Sequence, residues 1–66
     1  MTILFNGKSA EVEEGMTVTA LLDSRGYGGK KVSVWLDGRQ LLTKEYDSTQ
    51  LTQGCTIKVL RILGGG

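Results

Sequence analysis

Val32-Ser33-Val34-Trp35-Leu36-Asp37-Gly38 is the clearest strand and turn in this chain. Val32, Val34 and Leu36 alternate with Ser33 and Trp35, as the period of two in a strand requires, and Asp37-Gly38 can adopt the left-handed angles of a type I′ hairpin turn. Arg39 to Leu42 then forms the short return strand. Moving toward the N-terminus, Tyr27 to Lys31 is a linker; its Gly28-Gly29-Lys30 lacks the spacing of a phosphate-binding loop, and no strand runs into it. Before the linker, Thr17 is placed to cap a helix, and Val18, Leu21 and Leu22 make an apolar stripe at helical spacing. That helix ends near Arg25-Gly26, with a basic residue in its last turn and glycine beyond it. At about eight or nine residues it is too short to stand alone and has to pack on the sheet. The chain opens with a further hairpin: Ile3-Leu4-Phe5 is a strand, Asn6-Gly7 the turn, and Lys8 to Val12 the return, with Ala10 and Val12 facing inward beside Ile3 and Phe5.

Toward the C-terminus, 43–52 is polar and irregular, anchored by Tyr46 and Leu51, with a short helical turn expected from Ser48 to Leu51. Gly54 turns the chain into a final strand, Thr56 to Ile62. The order strand, strand, helix, strand, short strand, turn, strand gives an α+β roll in which one helix covers one face of a mixed sheet of four to five strands. The connection through the helix is long enough for a crossover. Residues 1–62 are expected to form a single domain and 63–66 a flexible glycine tail.

Alternation assigns the two faces of that sheet. If Ile3, Phe5, Val34, Leu36, Ile57 and Val59 meet the helix, then Leu4, Trp35, Leu60 and Ile62 point away from it. A sheet with one helix should have a polar second face, and this one carries apolar groups, which marks it as a partner-docking surface.

Composition excludes several classes of function. A chain of 66 residues makes one small domain. It has one cysteine and no histidine, so neither an internal disulfide nor a structural zinc site is expected, and the commonest general base is missing. The acidic residues read as solvated charges, and Cys55, between the Gly54 turn and an apolar strand, reads as a buried structural thiol. A formal net charge of +1 gives no reason to expect a nucleic-acid partner. No apolar run approaches a membrane span and none resembles a secretory signal, so the expectation is a cytoplasmic protein that is not an enzyme and binds no cofactor.

The reactive feature that remains is the end of the chain. Val59-Leu60-Arg61-Ile62-Leu63 runs straight into Gly64-Gly65-Gly66. Glycine adds no side-chain bulk, so Gly64 and Gly65 would form a stem able to thread a channel too narrow for any Cβ. Extended, the tail carries the Gly66 carboxylate roughly 10 to 14 Å out from the fold. A carboxylate becomes a useful electrophile once adenylated, after which sulfur or an amine can attack it. Both routes need another enzyme's active site, so on this reading the protein is a substrate and carrier.

The whole chain resembles the small ubiquitin-like sulfur carrier proteins, and among them the carriers of bacterial thiamine biosynthesis. The matching features are Ile3-Leu4-Phe5-Asn6-Gly7, Gly15-Met16-Thr17-Val18 leading to Leu21-Leu22, Val32 to Gly38, the Leu51 to Gly54 turn and Arg61-Ile62-Leu63-Gly64-Gly65-Gly66. Thr43-Lys44 stands where relatives commonly have proline and arginine, and Cys55 where they often have an acidic residue. The resemblance implies a β-grasp fold whose terminal glycine, Gly66, is adenylated with ATP by a ThiF-like adenylating enzyme and converted to a thiocarboxylate. Sulfur would then pass to thiazole synthase (ThiG-like), or to another sulfur-accepting enzyme, with Leu4, Trp35, Leu60 and Ile62 docking the partner. Related carriers serve molybdopterin or sulfur amino-acid synthesis with the same tail. A protein modifier joined to lysines, or a binding module with incidental glycines, is also compatible with the sequence.

Overall fold

Two tight hairpins and one crossover build the sheet. The computed structural model describes residues 1–27 and 31–62. Its elements are β1 (Thr2–Phe5), β2 (Lys8–Glu11), α1 (Val18–Ser24), β3 (Val32–Leu36), β4 (Arg39–Gln40), a 3₁₀ turn (Thr43–Glu45) and β5 (Thr56–Arg61). The strands form one five-stranded sheet in the order β2-β1-β5-β3-β4. Both hairpins are antiparallel, β5 runs antiparallel to β3, and β1 with β5 is the parallel pair. This is the mixed α+β roll that the element order predicts, and the β-grasp arrangement that the resemblance implies.

The hairpin turns follow from residue type. Asn6 and Gly7 have φ of 49° and 83°, and Asp37 and Gly38 have 48° and 86°, so both central residues of each turn are left-handed, as a type I′ turn requires. A Cβ on Gly7 or Gly38 would meet nothing within 4 Å, so backbone angle and not space selects glycine there.

Thr17 caps α1 as expected, its hydroxyl accepting from the Ala20 N–H at 3.1 Å. The helix is seven residues long, shorter than predicted, and Arg25 is its C-cap, not a member of its last turn. The N–H of Gly26 donates to the Asp23 carbonyl at 3.2 Å and that of Tyr27 to the Leu22 carbonyl at 2.8 Å, the paired bonds of a Schellman ending. Val18, Leu21 and Leu22 are buried against Ile3, Val34, Ile57 and Val59, and Leu41, Tyr46, Leu51 and Cys55 close the core around them. Each such side chain contributes about 1.5–3 kcal/mol of transfer free energy, enough to hold a helix with little stability of its own. Phe5 and Leu36, both expected inward, are half-buried and pack on the margin of that cluster.

Three expectations are corrected. The return strand stops at Gln40, short of Leu42: Leu41 turns into the core, and the Leu42 N–H is taken by the Glu45 carboxylate at 3.1 Å, which starts the 3₁₀ turn. The helical turn lies at Thr43–Glu45 and not at Ser48 to Leu51. The later segment is drawn out beside the helix entrance, where Val18 N–H donates to the Thr49 carbonyl at 3.0 Å and Leu51 N–H to the Met16 carbonyl at 2.8 Å. The final strand ends at Arg61, one residue before Ile62. Tyr46 and Leu51 anchor the loop as expected, the Tyr46 hydroxyl donating to the Val32 carbonyl at 3.2 Å. No helix among the described residues is long and apolar enough to cross a membrane.

Candidate functional site

The site is built on β5, the strand that leads to the glycines. β5 lies in the middle of the sheet, with β1 on one side and β3 on the other. Each hairpin turn also grips it. On the β1 side, the Asn6 side chain accepts from the Val59 N–H at 2.8 Å and donates to the Val59 carbonyl at 3.3 Å. An amide can do both, so Asn6 continues the ladder past the end of β1. On the β3 side, the Asp37 carboxylate accepts from the Thr56 N–H at 2.8 Å, and the backbone N–H of Asp37 donates to the Thr56 carbonyl at 2.8 Å. The carboxylate only accepts, so the backbone supplies the donor. Near the exit, the Ile62 N–H still donates to the Lys31 carbonyl at 3.1 Å. The tail therefore leaves from a strand held on both sides as far as Val59 and on the β3 side from there to Ile62.

The face away from α1 carries the expected apolar groups. Leu4 is 41% exposed, Leu60 48% and Ile62 51%, while Trp35 is half-buried. Register places Leu4 beside Thr56 and Trp35 beside Lys58. Trp35 and Leu60 line a shallow hollow of about 250 Å³ with Gly38, Thr56 and Lys58. Leu60 also borders a second hollow, of about 360 Å³, next to Asn6 and Gly7. Ile62 borders a third hollow, of about 340 Å³, with Val32, Leu41 and Leu42. Alternation puts Ile62 in phase with Leu60, and its hollow also takes in Ser33 and Gln40, the register partners of Leu60 and Trp35. Leu42, 57% exposed, was not expected here. The signal for it was the pair Leu41-Leu42 after a two-residue strand, where one of the two has to face outward.

A second group at the root of the tail was also missed. The Arg25 guanidinium lies 5.2 Å from the centroid of the Phe5 ring, and that of Arg61 lies 5.3 Å from the Tyr27 ring. The two rings are 6.3 Å apart and tilted by 44°. Arg61 is in phase with Ile57 and Val59, on the helix side of the sheet, and a charged residue in that phase calls for a partner. The Schellman ending supplies one by fixing the position of Tyr27.

Gly64, Gly65 and Gly66, expected to thread and to react, lie outside the described residues, as does the Gly28-Gly29-Lys30 linker. Cys55 is buried at the foot of β5. Among the described residues no group of histidine, cysteine, aspartate or glutamate could hold a metal ion.

The fold and sequence are similar to those of known proteins. The crystal structure of the thiamine biosynthesis protein ThiS from Geobacter metallireducens matches with a TM-score of 0.86 and 32% identity, covering 100% of each chain. A solution NMR structure of a thiamine biosynthesis protein from the same organism matches with a TM-score of 0.80 and 32% identity, over 100% of this chain and 88% of that one. No curated protein sequence matches significantly. The ThiS family model matches residues 3–66, a span that takes in the hairpins, the helix, β5 and the glycine end, and the chain accordingly belongs to the ThiS family.

Proposed function

We propose that this protein is a sulfur carrier of thiamine biosynthesis that works as a co-substrate of other enzymes and not as a catalyst. The observation that carries the reading is the match to the ThiS family through the final Gly64-Gly65-Gly66, with two residues between them and the end of the gripped strand β5. In this reading a ThiF-like enzyme joins the Gly66 carboxylate to the adenylyl group of ATP and releases pyrophosphate. Sulfide then attacks the acyl carbon, the bond to AMP breaks with AMP as leaving group, and a thiocarboxylate remains on Gly66. A ThiG-like thiazole synthase accepts the sulfur. Gly64 and Gly65 pass through the channel of each partner, and Leu4, Trp35, Leu60 and Ile62, joined by Leu42, meet the partner's surface.

The test is intact-mass measurement of the protein after incubation with an adenylating enzyme, ATP and sulfide. The expected result is a mass gain equal to the difference between sulfur and oxygen, lost when Gly66 is deleted. With the enzyme active on its own carrier, an unchanged mass would overturn the reading. Attachment to lysines of other proteins in a lysate, in place of that gain, would identify a modifier.

A further inference from the structure

The carrier reading uses the open face of the sheet and leaves the Arg25-Phe5-Tyr27-Arg61 array on the other side unused. Charge collects around it. Lys8 pairs with Phe5 in the β1–β2 ladder, and Lys31 lies where the last backbone bond before the tail is made. Asp37 sits at the other end of β5 from Arg61, where it binds Thr56, and Glu11 faces Thr2 in the β1–β2 ladder. The ion pair between side chains found among the described residues, Arg39 with Glu45 at 3.6 Å, is also away from the array. Arg25 borders an open hollow with Glu11 and Glu13, and Asp23 lies on the last turn of α1, but none of these acids is within ion-pair distance of either guanidinium.

Both guanidiniums are exposed and are positioned by aromatic faces instead of carboxylates. A ring face attracts a guanidinium without occupying its N–H fork, which stays available for an oxygen acid. The rings are held in turn by the Phe5 strand and the helix ending at Tyr27. With the four residues beyond Ile62 drawn out into a partner's channel, the reacting carboxylate is carried up to roughly 14 Å away, beyond the reach of Arg61. What meets Arg61 is therefore whatever surrounds the entrance through which the tail passes.

We propose that Arg61 and Arg25, flanked by Lys8 and Lys31, are an electrostatic seat for an acidic rim around the tail channel of the activating enzyme. This rests on the carrier reading for the identity of the partner, but the acidic chemistry of the occupant follows from the array itself. Charge pairing of this kind speeds encounter and fixes orientation before the tail enters, and it weakens with salt.

Two measurements test it. In the first, a deca-glutamate peptide is titrated into isotope-labelled protein while the arginine Nε–Hε signals and the Tyr27 ring signals are followed. The expected result is saturable shifts at Arg61, Arg25 and Tyr27 that exceed those at Arg39 and collapse at high salt. Equal shifts at Arg39 and Arg61 would mean diffuse polyelectrolyte binding and overturn the proposal. In the second, carrier-dependent pyrophosphate exchange is measured for Arg61→Gln and for Tyr27→Leu, which removes the ring and keeps the charge. Arg61→Gln should raise the KM for the carrier about tenfold with kcat retained and flatten its salt dependence, and Tyr27→Leu should do so less strongly. Unchanged KM and salt dependence in Arg61→Gln and in the Arg25→Gln/Arg61→Gln pair would sink the seat and leave the carrier reading standing. No exchange by the wild-type protein, with the localised peptide shifts present, would count against the carrier reading while the acidic-ligand seat survived.

Discussion

Four consecutive residues of β5 show the two faces of this sheet side by side. Ile57 and Val59 are buried at 0% and 3% exposure, while Lys58 and Leu60 between and beyond them stand in solvent. Val59 and Leu60 are adjacent and similar in chemistry, yet they answer to different demands. The inward residue is surrounded by α1 and the neighbouring strands, so folding depends on its shape. The outward one has a lysine and a half-buried tryptophan beside it, so its apolar surface gains little until something covers it. Hydrophobicity alone would rank the two alike, and the strand's period of two separates them.

Substitutions on the two faces should separate stability from binding, and the largest loss of stability is expected inside. Ile57→Ala removes a fully buried side chain and should cost about 2–5 kcal/mol in urea unfolding, a large share of what a chain this size has. A cost near zero would mean that the inner face is not the folding core. Next comes the grip at the edge of β5. Asn6→Asp loses the donor to the Val59 carbonyl and sets a carboxylate against it, at a cost of about 1–3 kcal/mol. Asp37→Asn keeps both the acceptor and the backbone donor and should cost less than about 1 kcal/mol. Equal costs for the two would show that the side-chain donor of Asn6 contributes nothing.

The outer face should reverse the balance. Trp35→Ala is expected to cost only about 1 kcal/mol of folding and to weaken partner binding roughly thirtyfold in a calorimetric titration. A loss of several kcal/mol of stability with unchanged affinity would place Trp35 functionally in the core. The smallest change in stability is expected for Leu60→Ser, within about 0.5 kcal/mol of wild type, again with weaker binding. Full retention of affinity in both variants would remove the outer face from the partner interface.

What could be read from the sequence was what short-range chemistry decides. Asn6-Gly7 and Asp37-Gly38 fix their turns through backbone angle, and Thr17 with Gly26 bounds the helix, so these elements are legible locally. The 43–52 loop was not. Its 3₁₀ turn depends on Glu45 reaching back to Leu42, and residues 49–51 are extended because the helix entrance offers backbone partners distant in sequence. The candidate site divides in the same way. Leu4, Trp35, Leu60 and Ile62 follow from alternation, whereas Leu42 arrives beside Ile62 from another segment. The Arg61-Tyr27 contact joins residues on either side of β3, and the second bonds made by Asn6 and Asp37 span the fold. Composition and period carry no information about such meetings.

The grip on β5 also determines how the molecule would bear a pull. β1 and β5 lie side by side and parallel, so tension drawn along the tail against the body acts along the ladder and loads its bonds together. A hairpin pulled from its open end gives way one bond at a time, whereas the parallel β1–β5 ladder, loaded between the tail and the start of β1, has to shear. The anchors at Thr56 and Val59 add resistance at either end of the loaded stretch. An enzyme could draw the glycines taut into its channel and strain the tail well before the domain behind it began to yield.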